Sequence, residues 1–237
     1  MEYTEQQTIK EVQKELKSVE TLYNAKCVNW RGITTDTKEF YTEIIANELL
    51  WNLKEFDKIN QITRTSSYCR ENHSKIAIDL NSNRREEIFA KRIAMMEFSE
   101  LGVIKDYQVP LKDTLKDSGI GKIDLISFNE DIKTLFLIEL KCRGSSDTLL
   151  RALLESYTYY KIVDKTKLKN DFFSNQENGV NPEVISIVPT VLITQGCNAF
   201  FELGEMELDE RQRLKALSLA LSIKIFSIDF EINHALI

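Results

Sequence analysis

The sequence predicts an α/β fold: a mixed sheet flanked by helices on both faces, preceded by a helical N-terminal extension. Three observations predict it. First, Leu135–Cys142 reads LFLIELKC. Side chains of a strand alternate between faces, so Leu135, Leu137, Glu139 and Lys141 share one face and Phe136, Ile138, Leu140 and Cys142 the other. A strand apolar on both faces is central and covered on both sides. Second, the segments from residue 84 onward read α-β-β-β-α-β-α-β. Third, residues 1–80 show helical spacing and then irregular sequence. This sets a boundary near residue 80, between a helical N-terminal region (1–80) and a sheet domain (81–237).

The elements follow in order. Thr4 and Gln7 form a capping-box pattern ahead of Ile9, Val12, Leu16, Val19 and Tyr23 at helical spacing. Asp36 and Glu39 suggest a second box, opening a helix over 37–54 that buries Phe40, Ile44, Ile45, Leu49 and Trp51. The stretch QITRTSSYCRENHS reads as loop. NSNRREEIFAKRIAMMEFSELG reads as a helix with Asn83 and Glu86 at box spacing and Gly102 as its stop. Three strand patterns follow: VIKDYQVPL (103–111), IGKIDLISF (120–128) and KTLFLIELKC (133–142). A Gly-Ser-Ser-Asp turn leads to a helix over 147–163, then a polar, lysine-rich stretch. VISIVPTVLIT (184–194) is a strand pattern whose Pro189 implies an edge, bulge or break. A helix over 207–221 and a strand over 223–230 complete the chain.

Composition narrows the chemistry. Hydrophobic residues at 43% and charged residues at 29% of 237 fit a globular protein. No apolar run approaches the ~20 residues of a membrane span, and MEYTEQQTIKEVQKEL is too acidic for a signal peptide. Four scattered cysteines without a CxxC pair fit reduced thiols in a cytoplasm. With only His73 and His234 present, most histidine chemistry is excluded. The net charge of −6 argues against a nucleic-acid partner, yet residues 81–170 carry 16 Lys+Arg against 14 Asp+Glu. That basic third contains LFLIELKC.

Glu139 and Lys141, at the end of a buried strand, would be partly desolvated, which costs several kcal/mol unless it is offset. The second and third strands should form a hairpin. With an even loop, Asp124 faces either Leu137 or Glu139 itself, and its carboxylate comes within roughly 5–8 Å of that of Glu139. An odd loop would place the two on opposite faces. Two carboxylates and an amine on one face suit hard-cation chemistry. Oxygen ligands hold Mg²⁺ or Mn²⁺, the ion activates a water and polarises a phosphate oxygen, and the ammonium stabilises developing charge. An i, i+2 Glu/Lys pair alone is more commonly a solvated ion pair.

Gly121-Lys-Ile-Asp124-Leu-Ile followed by Leu137-Ile-Glu139-Leu-Lys141 resembles the PD-(D/E)xK nuclease superfamily, over roughly residues 84–195. The resemblance implies a restriction-endonuclease-like core, α-β-β-β-α-β, and a metal-dependent nuclease hydrolysing phosphodiester bonds of DNA, with RNA also open. It implies that Asp124, Glu139 and the backbone carbonyl of Leu140 hold the metal and that Lys141 is the catalytic lysine. A glutamate of the first core helix completes such sites. Glu86 is preferred, on the stripe of Phe89, Ile93 and Met96, and Glu87 is the alternative. Nucleic acid, above all DNA, is the implied partner, and because cutting both strands commonly calls for two copies a homodimer is open, although the sequence does not fix the oligomeric state. Where many branches carry Gln-x-x-x-Tyr on the helix after the lysine, this chain reads Arg151-ALL-Glu155-SYT-Tyr159, with the tyrosines Tyr157, Tyr159 and Tyr160 but no glutamine. The alternative function is a non-cleaving module that binds nucleic acid or protein. Further candidate contacts are Arg84, Arg85, Lys91, Arg92, the lysines at 161, 165, 167 and 169, and the RTSSYCR loop.

Overall fold

In the structure, a computed structural model, the residues described are 2–69, 85–113, 121–174 and 180–228. Six strands form one sheet in chain order: β1 (Glu97–Phe98), β2 (Gly102–Pro110), β3 (Lys122–Asn129), β4 (Thr134–Lys141), β5 (Ser186–Thr194) and β6 (Lys224–Ile228). The first four pair antiparallel, and β4–β5 and β5–β6 pair parallel. The sheet is therefore mixed, with the doubly apolar β4 inside it, as expected. Every residue of β4 is buried. Pro189 lies opposite Leu137, one residue before β6 joins at Thr190. There β5 is still an edge, where a missing N–H is tolerated.

Each face of β4 has its own core. Phe136, Ile138 and Leu140 pack with Leu125 and with Phe89 and Ile93 of α3 (Arg85–Ile93). Leu135 and Leu137 pack with Ile126, Phe128 and the Leu149, Leu150 and Leu153 side chains of α4 (Leu149–Ile162). The N-terminal residues join this second core: Val12 of α1 (Glu5–Glu15), Leu22 and Tyr23 of a 3-10 segment, and Ile45 and Leu49 of α2 (Tyr41–Trp51) belong to it. Thr4 caps α1 in the expected box with Gln7.

Several expected boundaries are corrected. The second helix begins at Tyr41, not residue 37, because the supposed capping residues act elsewhere. Asp36 accepts the Glu5 N–H at the start of α1, and Glu39 pairs with Arg213. Trp51, expected in the core, is 80% exposed. The helix expected to run to Gly102 ends at Ile93, and β1 and β2 form a tight hairpin in which Gly102 holds a left-handed φ of 71°. A Cβ there would meet the Phe128 carbonyl oxygen at 2.2 Å, so glycine is required. The Asn83 cap lies outside the described residues. The lysine-rich stretch contains α5 (Lys165–Phe173), capped by Asp164 and burying Leu168, Phe172 and Phe173. The helix expected over 207–221 is α7 (Gln212–Ala220), and a further helix that the sequence reading does not include, α6 (Asn198–Glu207), precedes it. No helix among the described residues is long and apolar enough to cross a membrane.

Candidate functional site

Phe128 pairs with Leu135 and Leu125 with Ile138. One more step of that register sets Asp124 opposite Glu139, the even-loop arrangement. Past Leu125 the backbone ladder gives way. The Leu140 N–H donates to Asp124 Oδ2 at 2.9 Å, and Gln108 Nε2 donates to Oδ1 at 2.8 Å. N–H and C=O of one strand residue face the same neighbour, so the Leu140 carbonyl faces the Asp124 side, while that of Lys141 accepts from Thr194 Oγ1 on the β5 side. Gln108 sits in the left-handed region at φ 51° within β2, just past a register shift between Ile104 and Asp106. Such strain in a non-glycine residue costs of order 1 kcal/mol or more and collects at functional sites.

Glu139 and Lys141 are 6% and 3% exposed. Lys141 Nζ lies 2.8 Å from Glu139 Oε1, 3.1 Å from Asp147 Oδ2 and 3.2 Å from Glu155 Oε2. Three carboxylates thus match the three hydrogens of the ammonium. Asp147 also takes Arg151 Nη1 at 2.9 Å and the Asn29 amide at 3.1 Å, and Glu155 Oε1 takes the Tyr159 hydroxyl at 3.0 Å. Gly121 makes room for that tyrosine: a Cβ on it would lie 1.9 Å from the Tyr159 oxygen.

Burial, with the negative charges of Asp124 and Glu155, pushes the Glu139 carboxyl well above its usual range, against the pull of Lys141. Burial also bears most strongly on Lys141 and draws it down. Glu139, Glu155 and Asp147 together outweigh burial, so the ammonium titrates well above its usual range and is charged at neutral pH. Both groups therefore hold protons tightly. Tyr159 is pushed far up, first by burial and then by Glu155 and Glu139, and stays a neutral donor.

These side chains line a cleft of about 790 Å³ whose rim includes Lys122, Arg143 and Ser145. Glu87 of α3 reaches the same cleft and pairs with Lys91 at 3.1 Å. Glu86 lies in the first turn of α3, and its side chain is outside the described residues. Asp124, Glu139 and Lys141 thus come together as the alternation of β4 and the even hairpin loop require. Asp147, Glu155 and Tyr159 were not foreseen at the site. The Glu155–Tyr159 spacing of four on a sheet-covering helix was the available signal. Asp147 gave none beyond its turn.

Among the described residues, no group of three or more His, Cys, Asp or Glu side chains is arranged to hold a metal ion. The cleft offers two facing carboxylates and a backbone carbonyl, all hard oxygen donors. That set suits Mg²⁺, which keeps several waters and uses one or two carboxylates.

Of the other basic candidates, Arg64, Lys91, Lys161, Lys165, Lys167 and Lys169 are engaged within the fold, Lys91 by its pair with Glu87. Arg64 is buried, donates to the Pro110, Ser66 and Ser67 carbonyls and lies over the Tyr68 ring. Lys161 pairs with Asp57, Lys167 with Asp171, Lys165 covers the Tyr160 ring and Lys169 donates to the Ile185 carbonyl. Arg70, His73 and Arg84 lie outside the described residues.

The chain matches no protein-family model, no curated protein and no solved structure.

Proposed function

We propose that the chain is a divalent-cation-dependent nuclease of the PD-(D/E)xK kind, with a restriction-endonuclease-like core, that hydrolyses phosphodiester bonds of DNA in the cytoplasm. The observation that carries this reading is the position of Asp124 opposite Glu139, with Lys141 two residues along the same face, where the β3–β4 ladder opens into a charged cleft. The order α3-β2-β3-β4-α4-β5 supports it.

Asp124, Glu139 and the Leu140 carbonyl would hold Mg²⁺ or Mn²⁺, with Glu86 or Glu87 of α3 to complete the set. Bound there, the ion would supply positive charge to a phosphate oxygen and acidify a water. Gln108 and the Leu140 N–H each donate to one oxygen of the Asp124 carboxylate and so fix its orientation. Glu139, Asp147 and Glu155 keep Lys141 protonated, so an ammonium is always present to orient a water or meet charge developing on phosphorus. Arg143 and Lys122 at the rim face an incoming phosphate.

One observation favours a second reading. The Lys141 ammonium is matched by three carboxylates, as in a purely structural cluster, which suits a non-cleaving module that binds nucleic acid or protein. A cleavage panel decides between them, using single- and double-stranded DNA and RNA with Mg²⁺, Mn²⁺ or EDTA. The nuclease reading expects metal-dependent cleavage that falls at least a hundredfold in Asp124→Asn and Glu139→Gln. It also expects Mg²⁺ to raise the melting temperature of the wild type but not of Asp124→Asn. Cleavage that persists in EDTA or in both variants refutes it, and nucleic-acid binding without cleavage under any metal favours the second reading.

A further inference from the structure

Two depressions lie on the N-terminal region, and the first of them adjoins the charged cleft. One, of about 730 Å³, is lined by Tyr3, Lys10, Lys26 and Trp30 and ends on Arg151, which also lines the cleft. The other, of about 620 Å³, is lined by Tyr3, Trp30 and Arg31. Tyr3 and Trp30 stand between them, stacked with ring centres 4.0 Å apart and planes 11° from parallel, and Tyr41 meets each of them edge-on. Trp30 is half-buried, held in place while still lining both depressions. Asn29, next to it, ties this wall to the cleft: its amide donates to Asp147 Oδ1 and its oxygen accepts the Thr148 N–H at 2.8 Å.

The cations here differ from the lysines of α4 and α5. The lysines at 161, 165, 167 and 169 are engaged within the fold, whereas Lys10, Lys26 and Arg31 are exposed and make no ion pair or hydrogen bond among the described residues. Glu11, the acidic residue of the first depression, is paired with Lys14 at 3.1 Å. Unengaged cations around a fixed aromatic pair, leading to a cleft through Arg151, match a chain of phosphates carrying unstacked bases. Stacking serves any base, and the cations follow the backbone. A duplex keeps its bases inside and offers no ring face to Trp30.

We propose that this surface is the path by which a single polynucleotide strand reaches the Asp124–Glu139–Lys141 cleft, its bases on the Tyr3–Trp30 pair and its phosphates on Lys10, Lys26, Arg31 and Arg151. The proposal rests on the nuclease reading and narrows its substrate to an unpaired strand or frayed end. The test measures binding in EDTA, where no cleavage interferes. In full-length Trp51→Phe protein, Trp30 is the sole tryptophan. Titration with oligothymidylate of about ten nucleotides should quench its emission saturably and bind at least tenfold tighter than a duplex of that length. Replacing Lys10, Lys26 and Arg31 together with alanine touches only exposed side chains. It should weaken binding at least tenfold and lower the salt slope of log K by about two, at ~0.7 per phosphate contact. Trp30→Ala should weaken binding by about tenfold, within the range for one stacked base.

Equal affinity for duplex, an unquenched Trp30, or unchanged binding by the triple variant overturns the proposal. If the wild type still cleaves nucleic acid in that event, the nuclease reading stands alone. Conversely, saturable quenching by the oligonucleotide without cleavage under any metal overturns the nuclease reading and leaves the strand path in place.

Discussion

Replacing Lys141 with methionine keeps most of its buried stem and deletes the ammonium shared by Glu139, Asp147 and Glu155. At the observed 2.8–3.2 Å, each contact is worth about 5 kcal/mol of gross attraction at an effective dielectric constant of 20. The net loss is smaller, because the cluster has an escape: Glu139, already displaced toward its protonated form, takes up a proton. Relative to an unfolded chain in which this carboxyl titrates near 4.5, that uptake costs about 3.4 kcal/mol at pH 7, at 1.36 kcal/mol per unit. A loss of about 3–4 kcal/mol is therefore expected at pH 7, in line with a broken buried pair.

The sign of its pH dependence follows from the same proton. A carboxyl whose folded-state value lies above its unfolded value binds protons more tightly in the folded protein, so stability falls as pH rises above 4.5. Deleting Lys141 removes the main pull in the other direction and extends that fall to higher pH. The stability gap between wild type and Lys141→Met should thus narrow, by up to about 1.4 kcal/mol per unit, as pH drops through the interval between the folded-state values of Glu139 in the two proteins. Urea denaturation followed by circular dichroism at several pH values measures it. A gap below ~1 kcal/mol that does not change with pH would refute the charge-cluster reasoning.

Two further substitutions test the packing around the site. Gly121→Ala drives a methyl into the Tyr159 hydroxyl and should cost about 1–3 kcal/mol. Adding Tyr159→Phe should recover only part of this, because the next ring carbon lies 2.7 Å from the new atom; full additivity in a double-mutant cycle would contradict the contact. Glu43 of α2 is buried and accepts the Arg213 and Leu214 N–H groups, both at 2.9 Å, at the start of α7. Glu43→Ala strands both donors and should cost ~2 kcal/mol or more, read as a lower melting temperature. An unchanged melting temperature would mean that water serves α7 equally well.

How much of this was written in the sequence depends on the range of the interaction. The burial of β4 and the shared face of Glu139 and Lys141 follow from alternation within eight residues, and both are found. Parity of the β3–β4 loop could not be read, because Lys133, not glycine or asparagine, takes the left-handed position at φ 49° that closes the turn. The start of α2 was misplaced because Asp36 and Glu39 carry a local capping pattern but serve distant groups, the Glu5 N–H and Arg213. The same holds at the site. Asp147 and Glu155 reach Lys141 only once α4 lies across the sheet, and no spacing rule links residues brought together that way. The metal-dependent reading itself drew on a motif whose residues are now seen side by side.

The Asn29 side chain bridges Asp147 and the N–H of Thr148, the cap of α4, from more than a hundred positions upstream. A proteolytic nick or deletion that freed the opening segment would withdraw both braces at once. The charges at the cleft would survive such damage, but their alignment would not. Transplanting residues 121–162 into a foreign scaffold would therefore carry over the chemistry without its aim.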